Sequence, residues 1–233
     1  MMTTSDIRNE FVRKYTAGES RTIGNDRQQS KTIEIQNAHF LADAPSIIRK
    51  PNYEYFEREL NWYLSESLNV NDIPGGAPTM WKACATPEGY VNSNYGWCIF
   101  SKENKEQYYH CMQMLISDQH TREAIMIYNR PSMQDEFCKN GMHDFMCCQN
   151  VQYFINERED CKFLDCIVNF RSNDAVFGYC NDYLWILWVL EKLANDLSEA
   201  TRENILAGQI HWNAGSLHVY ERHFKFLEAL KNE

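Results

Sequence analysis

The segment from residue 163 to residue 197 constrains the fold more than any other part of the chain. It opens with an apolar run, 163–170, which predicts a buried strand. Residues 182–197 are apolar on nearly every face of a helix, so we predict a central buried helix there. Between the two lies a polar segment, 171–182, with the sequence RSNDAVFGYCND. Such a segment, held between a buried strand and a buried helix, can bind an anion and a polar ring together, as a nucleotide site does.

The composition predicts one folded α+β domain over residues 1–233. Hydrophobic residues make up 44 % of the chain and aromatic residues 13 %, which suffices for a full core. A net charge of −9 argues against direct nucleic-acid binding. The start of the chain lacks a secretory signal pattern, and the longest apolar stretch, 183–190, is too short to span a bilayer. With nine cysteines, an odd number, we expect reduced thiols and a cytoplasmic location.

The spacing of apolar residues predicts five helices and five strands. The helices are expected near 5–20, over 53–68 with Asn52 as the cap, and over 103–117, 182–197 and 221–232. The strands are expected over 31–36, 123–128, 148–155, 163–170 and 209–219. Polar loops are expected over 24–30 and 156–162, and the Pro- and Gly-rich segment 74–78 should break the helix before it.

Two adjacent cysteines, Cys147 and Cys148, stand where the strand over 148–155 begins. Neighbouring side chains of a strand face opposite ways, so at most one of the two can face a site. A buried cysteine is most often a small hydrophobic residue, whereas a nucleophilic thiolate needs a nearby positive charge. Arg171, at the end of the next strand, could supply that charge. A metal site is disfavoured because the cysteines and histidines lack paired CxxC spacing.

Five polar residues near the predicted helix and the late strand allow more than one interpretation. Arg171 and Ser172 could bind a phosphate, since a guanidinium and a hydroxyl both donate to an oxyanion, or they could form an ordinary surface ion pair. Asp182 could cap the helix, contact a ligand, or do both. His218 and Tyr220 share one face of a strand, as packing groups or as ligands.

Two further residues stand out on the N-terminal side of the cysteines. Glu59 lies on an otherwise apolar helix face, and a carboxylate buried there requires a partner or a raised pKa. Tyr95, in the sequence NSNYGW, could be a core residue or a phenolic proton relay.

In their order along the chain, these residues resemble the thymidylate synthase superfamily, from about residue 27 to about residue 224. Residues 58–64, RELNWYL, resemble the family's glutamate helix, with Glu59 at the catalytic position. The spacing from Trp81 to Tyr95 also matches the family. Cys147 stands five residues before Gln152, as the family's nucleophile stands before its strand glutamine, and this selects it over Cys148.

The resemblance implies a thymidylate synthase-like fold, a mixed β-sheet packed with helices, in a sheet-to-sheet homodimer. It implies 5,10-methylenetetrahydrofolate as cosubstrate and no metal. The pterin would be bound by Trp81, Asp174 and Gly178, and the nucleotide by Arg27, Arg122, Arg171, Ser172, Asn173, Asp182, His218 and Tyr220. In the family, two adjacent arginines bind the phosphate of the nucleotide in the partner chain of the dimer. The corresponding residues here are Arg122 and Glu123, so only the first arginine is present. The chain also ends soon after Leu230, without the longer tail that closes over folate in relatives.

Thymidylate synthases have asparagine where this chain has Asp182. An amide pairs with uracil, whereas a carboxylate can accept from the amino group of cytosine and from a proton on N3, so Asp182 should select cytosine. The segments 92–97, 127–133, 144–147 and 216–220 resemble the bacteriophage deoxycytidylate hydroxymethylases, which make 5-hydroxymethyl-dCMP. Beyond dCMP and folate, a phage nucleotide-synthesis complex is a candidate partner, whereas no membrane is expected.

The mechanism that the resemblance implies begins with addition of the Cys147 thiolate to C6 of dCMP. Tyr95 and bound water would relay the C5 proton, and Glu59 would position the water that completes the hydroxymethyl group. Three alternatives remain open: a dCMP methyltransferase on the same scaffold, a dUMP-directed relative, and a non-catalytic nucleotide-binding protein.

Overall fold

The computed structural model describes residues 1–25 and 28–232. Its helices, in chain order, are α1 (Thr4–Thr16), α2 (Tyr53–Leu64), α3 (Thr79–Cys84), α4 (Tyr95–Phe100), α5 (Gln107–Ser117), α6 (Met133–Glu136), α7 (Gly178–Thr201) and α8 (Phe224–Lys231). Its strands are β1 (Arg21–Asn25), β2 (Gln28–Leu41), β3 (Ile125–Ile127), β4 (Cys148–Arg158), β5 (Cys161–Asp174) and β6 (Ile205–Tyr220).

All six strands belong to one sheet, in the order β1-β2-β6-β5-β4-β3. Neighbouring strands are antiparallel except β5 and β6, which run parallel and are connected by α7. A parallel pair requires such a crossover, because its second strand must start at the same end as the first. The predicted mixed sheet packed with helices is therefore confirmed.

The predicted central helix is also confirmed, and it packs on one face of the sheet. Eleven residues of α7 are buried, and Tyr179 packs edge-on against Trp212 of β6, with ring centroids 5.0 Å apart. Trp212 in turn stacks on Phe170 of β5 at 4.9 Å. Since each large apolar side chain buried in this way stabilises the fold by about 1.5–3 kcal/mol, α7 is held at a fixed position. That position places Asp182, its fifth residue, beside the end of β5.

Asp182 is not the N-cap of α7, so that interpretation is wrong. The helix begins at Gly178, with Phe177 in the cap position. The carboxylate of Asp174 accepts hydrogen bonds from the backbone amides of Val176 (3.1 Å) and Phe177 (3.4 Å). These bonds turn the chain directly after β5, so the helix starts four residues earlier than expected.

Other predicted boundaries are wrong where strand pairing extends an element through polar sequence. In the segment expected to be a loop, Gly24 pairs with Gln29 in the β1–β2 hairpin. β4 and β5 continue through the second expected loop and are joined at Glu159 and Asp160, which both adopt positive φ. The helix capped by Asn52 is confirmed, but it ends at Leu64, before the Pro- and Gly-rich segment.

Candidate active site

Cys147 and Arg171 form the centre of the candidate site, where the start of β4 meets the end of β5. The backbone amide of Arg171 donates to the carbonyl of Cys147 at 2.9 Å. The Arg171 guanidinium donates from Nε to the Met146 carbonyl (2.9 Å) and from Nη2 to the Phe145 carbonyl (2.6 Å). Nη2 also lies 3.7 Å from Cys147 Sγ. Arg171 thus clamps the loop that carries the thiol.

The two adjacent cysteines differ in access, as expected from strand alternation. Cys148 is fully buried, whereas Cys147 is partly exposed. Burial raises the pKa of the Cys147 thiol to about 11, and the charge of Arg171 opposes that rise. Burial also raises the pKa of Cys148 well above its ordinary value. Cys147 is therefore the member of the pair that a ligand can reach and that a positive charge assists.

Asp182 is paired with Asn173, the buried penultimate residue of β5. The amide nitrogen of Asn173 donates to Asp182 Oδ2 at 2.7 Å. Among the residues that the structure describes, Asn173 Oδ1 is buried without a hydrogen-bond partner. Burial, followed by repulsion from Glu59, raises the pKa of the Asp182 carboxyl to about 8, while hydrogen bonds from Asn173 and Tyr95 oppose the rise. At neutral pH this carboxyl is mostly protonated.

Glu59 occupies the inner face of α2 and is 3 % exposed. Its Oε1 accepts hydrogen bonds from the Tyr55 hydroxyl, 2.5 Å away, and from Trp81 Nε1, 2.9 Å away. Burial raises the pKa of Glu59, and these two donors oppose the rise. The buried carboxylate therefore has the partners and the raised pKa that its sequence position requires.

Tyr95 begins α4 and is buried against the other aromatic side chains of the site. It stacks on Tyr63 of α2, with centroids 5.4 Å apart, and packs edge-on against Tyr128 at 5.3 Å. Burial and the neighbouring Asp182 raise its pKa well above the ordinary value. Tyr95 is thus a core residue that also borders Asp182, and its role as a proton relay stays a prediction.

The end of β5 and the end of β6 lie side by side. Asp174 is in register with His218, and Ser172 with Ser216. His218 packs edge-on against Tyr220 at 4.7 Å, and burial lowers the pKa of its imidazole. This pairing brings the polar segment that begins at Arg171 next to the end of β6, as the family resemblance implies.

Two predicted site residues are not placed in this cluster. Arg27 lies outside the described residues. Arg122 is exposed just before the edge strand β3, and its carbonyl accepts a hydrogen bond from Gln152 at 2.8 Å. Gln152 lies five residues beyond Cys147, about 17 Å along an extended strand. Within one chain, Arg122 is therefore remote from the thiol.

Sequence reasoning missed two residues that support the site. The first is Tyr55, which contacts Glu59. The second is Asp144, buried three residues before Cys147. Its carboxylate accepts hydrogen bonds from the backbone amides of Asn92 (2.7 Å) and Ser93 (2.8 Å) and from the Ser93 hydroxyl (2.7 Å). These bonds join the thiol loop to the segment that leads into Tyr95. The i, i+4 spacing of Tyr55 and Glu59 was a usable signal, whereas no local pattern indicated the distant partners of Asp144.

Gly178 packs closely against Asp174 and the Asp182–Asn173 pair. A Cβ atom at this position would lie 3.3 Å from Asp174 Cβ and 3.7 Å from Asp182 Oδ2. Phe177, the residue before it, is 36 % exposed. A side chain at residue 178 would therefore crowd Asp174.

The described residues contain no group of three or more His, Cys, Asp or Glu side chains arranged to hold a metal ion. None of the described helices has both the length and the apolar character needed to cross a membrane.

Comparison with known proteins agrees with this architecture. Deoxycytidylate 5-hydroxymethyltransferases of Enterobacteria phages T4 and T2 are each 49 % identical over 205 residues, which is 87 % of this chain and 81 % of theirs. The solved structure of thermostable thymidylate synthase A from Bacillus subtilis matches with a TM-score of 0.67 at 18 % identity, over 99 % of this chain and 84 % of that one, which confirms the predicted fold. The thymidylate synthase family model matches residues 13–232, and the chain belongs to that family.

Proposed function

We propose that this protein is a deoxycytidylate 5-hydroxymethyltransferase. It would convert dCMP, 5,10-methylenetetrahydrofolate and water into 5-hydroxymethyl-dCMP and tetrahydrofolate. The observation that carries the proposal is Asp182, a carboxyl with a pKa raised to about 8 that is hydrogen-bonded to Asn173 beside the accessible thiol. The names of the phage relatives at 49 % identity support the same activity.

Base selection follows from the proton on Asp182. Because this carboxyl is mostly protonated at neutral pH, it can transfer its proton to N3 of cytosine and then accept from both N3–H and the amino group. Uracil can also pair with the neutral carboxyl, which donates to its carbonyl and accepts from its N3–H, but it has no basic N3 and so cannot form the charge-assisted pair that cytosine forms. The orphaned Asn173 Oδ1 supplies a second acceptor near the amino edge. The site therefore favours cytosine over uracil.

Cys147 is the proposed nucleophile. Its Sγ forms a bond to C6 as the thiol proton leaves, and the electron pair of the C5–C6 double bond makes C5 nucleophilic. Protonation of N3 by Asp182 makes this addition easier, because the ring takes up the electron pair more readily. Methylenetetrahydrofolate supplies the one-carbon unit that becomes the hydroxymethyl carbon.

Two groups would move protons after that point. Tyr95, buried next to Asp182, with bound water would relay the C5 proton. Glu59 would position the water that adds to the exocyclic carbon and would take a proton from it. Loss of Cys147 from C6 then restores the aromatic ring.

The phosphate and the ribose would be held around the polar ends of β5 and β6. Arg171 uses Nε and Nη2 to clamp the thiol loop, and its Nη1 would donate to the phosphate together with Ser172. His218 and Tyr220 would contact the ribose 3′-hydroxyl. Arg27 and Arg122 would complete phosphate binding, the latter from a second copy of the chain.

The pterin of the folate cosubstrate would bind near Asp174, Gly178 and Trp81, the positions that the family resemblance indicates. Asp174 would accept from the pterin N–H groups, and the half-buried Trp81 would border the pterin from α3. Glycine at residue 178 supports this proposal, because a Cβ there would lie 3.3 Å from Asp174 Cβ and crowd that residue.

A sheet-to-sheet homodimer would bring Arg122 of one chain to the thiol of the other. The sheet face away from α7 carries a row of polar side chains: Asn150 accepts from Asn169 at 2.9 Å, and Asn169 accepts from Asn213 at 3.1 Å. Exposed apolar residues accompany this row, including Leu206 at 42 %. Sedimentation of the wild type and of Asn169→Lys would test the dimer, since a charge in the row should separate the copies.

The test of the activity is incubation with dCMP tritiated at C5, with and without methylenetetrahydrofolate. We expect tritium release, a product with the mass of 5-hydroxymethyl-dCMP, and no dihydrofolate absorbance. The product 5-methyl-dCMP with dihydrofolate would assign a methyltransferase instead, and preferential turnover of dUMP would assign a dUMP enzyme. Cys147→Ser should lose tritium release by at least about 10³-fold, while Cys148→Ser retains it. Retained release in Cys147→Ser would refute the mechanism.

A further inference from the structure

Tyr55 is tied to Glu59 by a closed set of hydrogen bonds. The two residues lie one helical turn apart on α2, so their side chains project from the same face. The Tyr55 hydroxyl donates to Glu59 Oε1 at 2.5 Å. Trp81 Nε1 lies 2.9 Å from the same oxygen and 3.1 Å from the Tyr55 hydroxyl. Both donors thus converge on one carboxylate oxygen and set its orientation.

Contacts other than the Tyr55 hydroxyl also hold the segment that carries Trp81. Arg58, on the same helix, donates to the carbonyls of Pro74 (2.5 Å) and Gly76 (2.6 Å). These bonds hold α2 to the segment that leads directly into α3. The Tyr55 ring is half-buried, so a phenylalanine can fill its place. Removal of the hydroxyl takes away its hydrogen bond to Glu59 and its contact with Trp81, while the bond from Trp81 Nε1 to Glu59 and the bonds of Arg58 are retained.

The groups that face Glu59 determine how easily it ionises. Tyr55 and Tyr63 face it from α2, Trp81 from α3 and Asp182 from α7. Burial raises the pKa of Glu59, and the Tyr55 hydroxyl is the strongest of the hydrogen bonds that lower it. Asp182 is mostly protonated at neutral pH and so adds little negative charge. The phenol of Tyr55 is thus the main group that favours the Glu59 carboxylate.

We propose that Tyr55 is a positioning residue for the water-addition step, in which its hydroxyl holds Glu59 Oε1 and orients the carboxyl towards the attacking water. The inference rests on the proposed function. It adds a residue that acts in the water-addition step and not in the earlier release of the C5 proton. In this step the water oxygen forms a bond to the exocyclic carbon, and one water proton passes to Glu59. The electron pair of the exocyclic double bond returns to C5 and then expels Cys147 from C6. The proton on Glu59 afterwards returns to solvent.

The test compares Tyr55→Phe with Tyr53→Phe, a matched control on the same helix whose side chain is 58 % exposed. Release of tritium from C5 precedes water addition, whereas hydroxymethyl-dCMP follows it. We expect Tyr55→Phe to form product about ten- to a hundredfold more slowly, the cost of a lost hydrogen bond to a charged group. Tritium release in the same variant should fall much less, and Tyr53→Phe should match the wild type in both measurements.

A double-mutant cycle with Glu59→Gln tests whether Tyr55 acts through Glu59. In the Glu59→Gln background, Tyr55→Phe should change the ratio of product to tritium release by less than about twofold. Independent, multiplying effects would overturn the inference. So would an equal loss of tritium release and product in Tyr55→Phe, because that result places the role of Tyr55 before water addition.

A readout without folate uses infrared difference spectra of the Glu59 carboxyl in the free protein. The protonated carboxyl band, identified by its loss in Glu59→Gln, should persist to higher pH in Tyr55→Phe, and an unshifted titration would contradict the inference. The two proposals fail in distinguishable ways. If the wild type makes no hydroxymethyl-dCMP, the proposed function fails. If the wild type makes it and Tyr55→Phe keeps the normal ratio of product to tritium release, the inference about Tyr55 alone fails.

Discussion

The side-chain amide of Asn173 donates to Asp182 Oδ2 at 2.7 Å, so one hydrogen bond joins the end of β5 to the second turn of α7. That bond fixes Asp182 Oδ2 beside the end of β5. Since Asp182 is held by Asn173 and its pKa is raised by burial, a conservative change at this position should alter base recognition more than folding.

We predict that Asp182→Asn shifts substrate preference from dCMP towards dUMP. An asparagine cannot transfer a proton to N3 of cytosine. It can, however, donate a hydrogen bond to the carbonyl of uracil and accept one from the N3–H of uracil. The ratio of kcat/KM for dCMP to that for dUMP should fall by about 100-fold or more, since mismatched buried polar groups discriminate by up to ~10⁴. Steady-state kinetics with both nucleotides measures it. Asp196→Asn, farther along α7, is the control, and an unchanged ratio in Asp182→Asn would contradict the assignment.

The same residue predicts how stability depends on pH. The pKa of Asp182 rises from 3.8 to about 8 on folding, so between these values the folded protein holds a proton that the unfolded chain has released. The contribution of Asp182 to the free energy of unfolding is therefore fully present below about pH 4 and falls as the pH rises to about 8. The Asp182→Asn variant has no titrating group at this position, so its free energy of unfolding does not fall in this way as the pH rises. Its stability relative to the wild type should increase from pH 5 to pH 8 in urea denaturation, and a constant difference would refute the raised pKa.

Most of the fold could be predicted from the sequence where burial alone determines the element. The apolar runs of β5 and α7 belong to this class, because nearly every residue in them is covered. Boundaries were wrong where polar residues join an element through a partner, as Gly24 does by pairing with Gln29. The start of α7 was misplaced because the Asp174 turn lies in a polar segment without helical periodicity.

The residues of the candidate site show the same division. Cys147 and Asp182 were identifiable because they occupy positions that a family motif marks. Tyr55 was missed, although its i, i+4 spacing to Glu59 was a usable signal, because a tyrosine on an amphipathic helix is equally typical of packing. Asp144 binds Asn92 and Ser93 across about fifty residues of chain, so its hydrogen bonds depend on tertiary structure.

Arg171 should control the reactivity of Cys147 independently of substrate. Arg171→Met keeps the length of the side chain but removes the charge that lowers the pKa of the thiol. We expect alkylation of Cys147 by iodoacetamide at pH 8–9 to slow about tenfold, the effect of one pKa unit on the thiolate fraction. Mass spectrometry of the Cys147 peptide measures the rate, with the exposed Cys138 as the reference thiol in each sample. Equal rates in variant and wild type would show that Arg171 does not assist the thiolate.

Asp144 should stabilise the loop that carries Cys147 through hydrogen bonding rather than through charge. Asp144→Ala leaves two buried amides, those of Asn92 and Ser93, without an acceptor, at a cost of about 1–3 kcal/mol for each. Asp144→Asn can place its carbonyl oxygen against both amides and donate from its nitrogen to the Ser93 hydroxyl, which also accepts. We therefore expect Asp144→Ala to lower the free energy of unfolding by about 2–5 kcal/mol and Asp144→Asn by less than about 1.5 kcal/mol. Urea denaturation at pH 7 distinguishes the two, and equal losses would show that the charge of Asp144, rather than its hydrogen bonds, holds the loop.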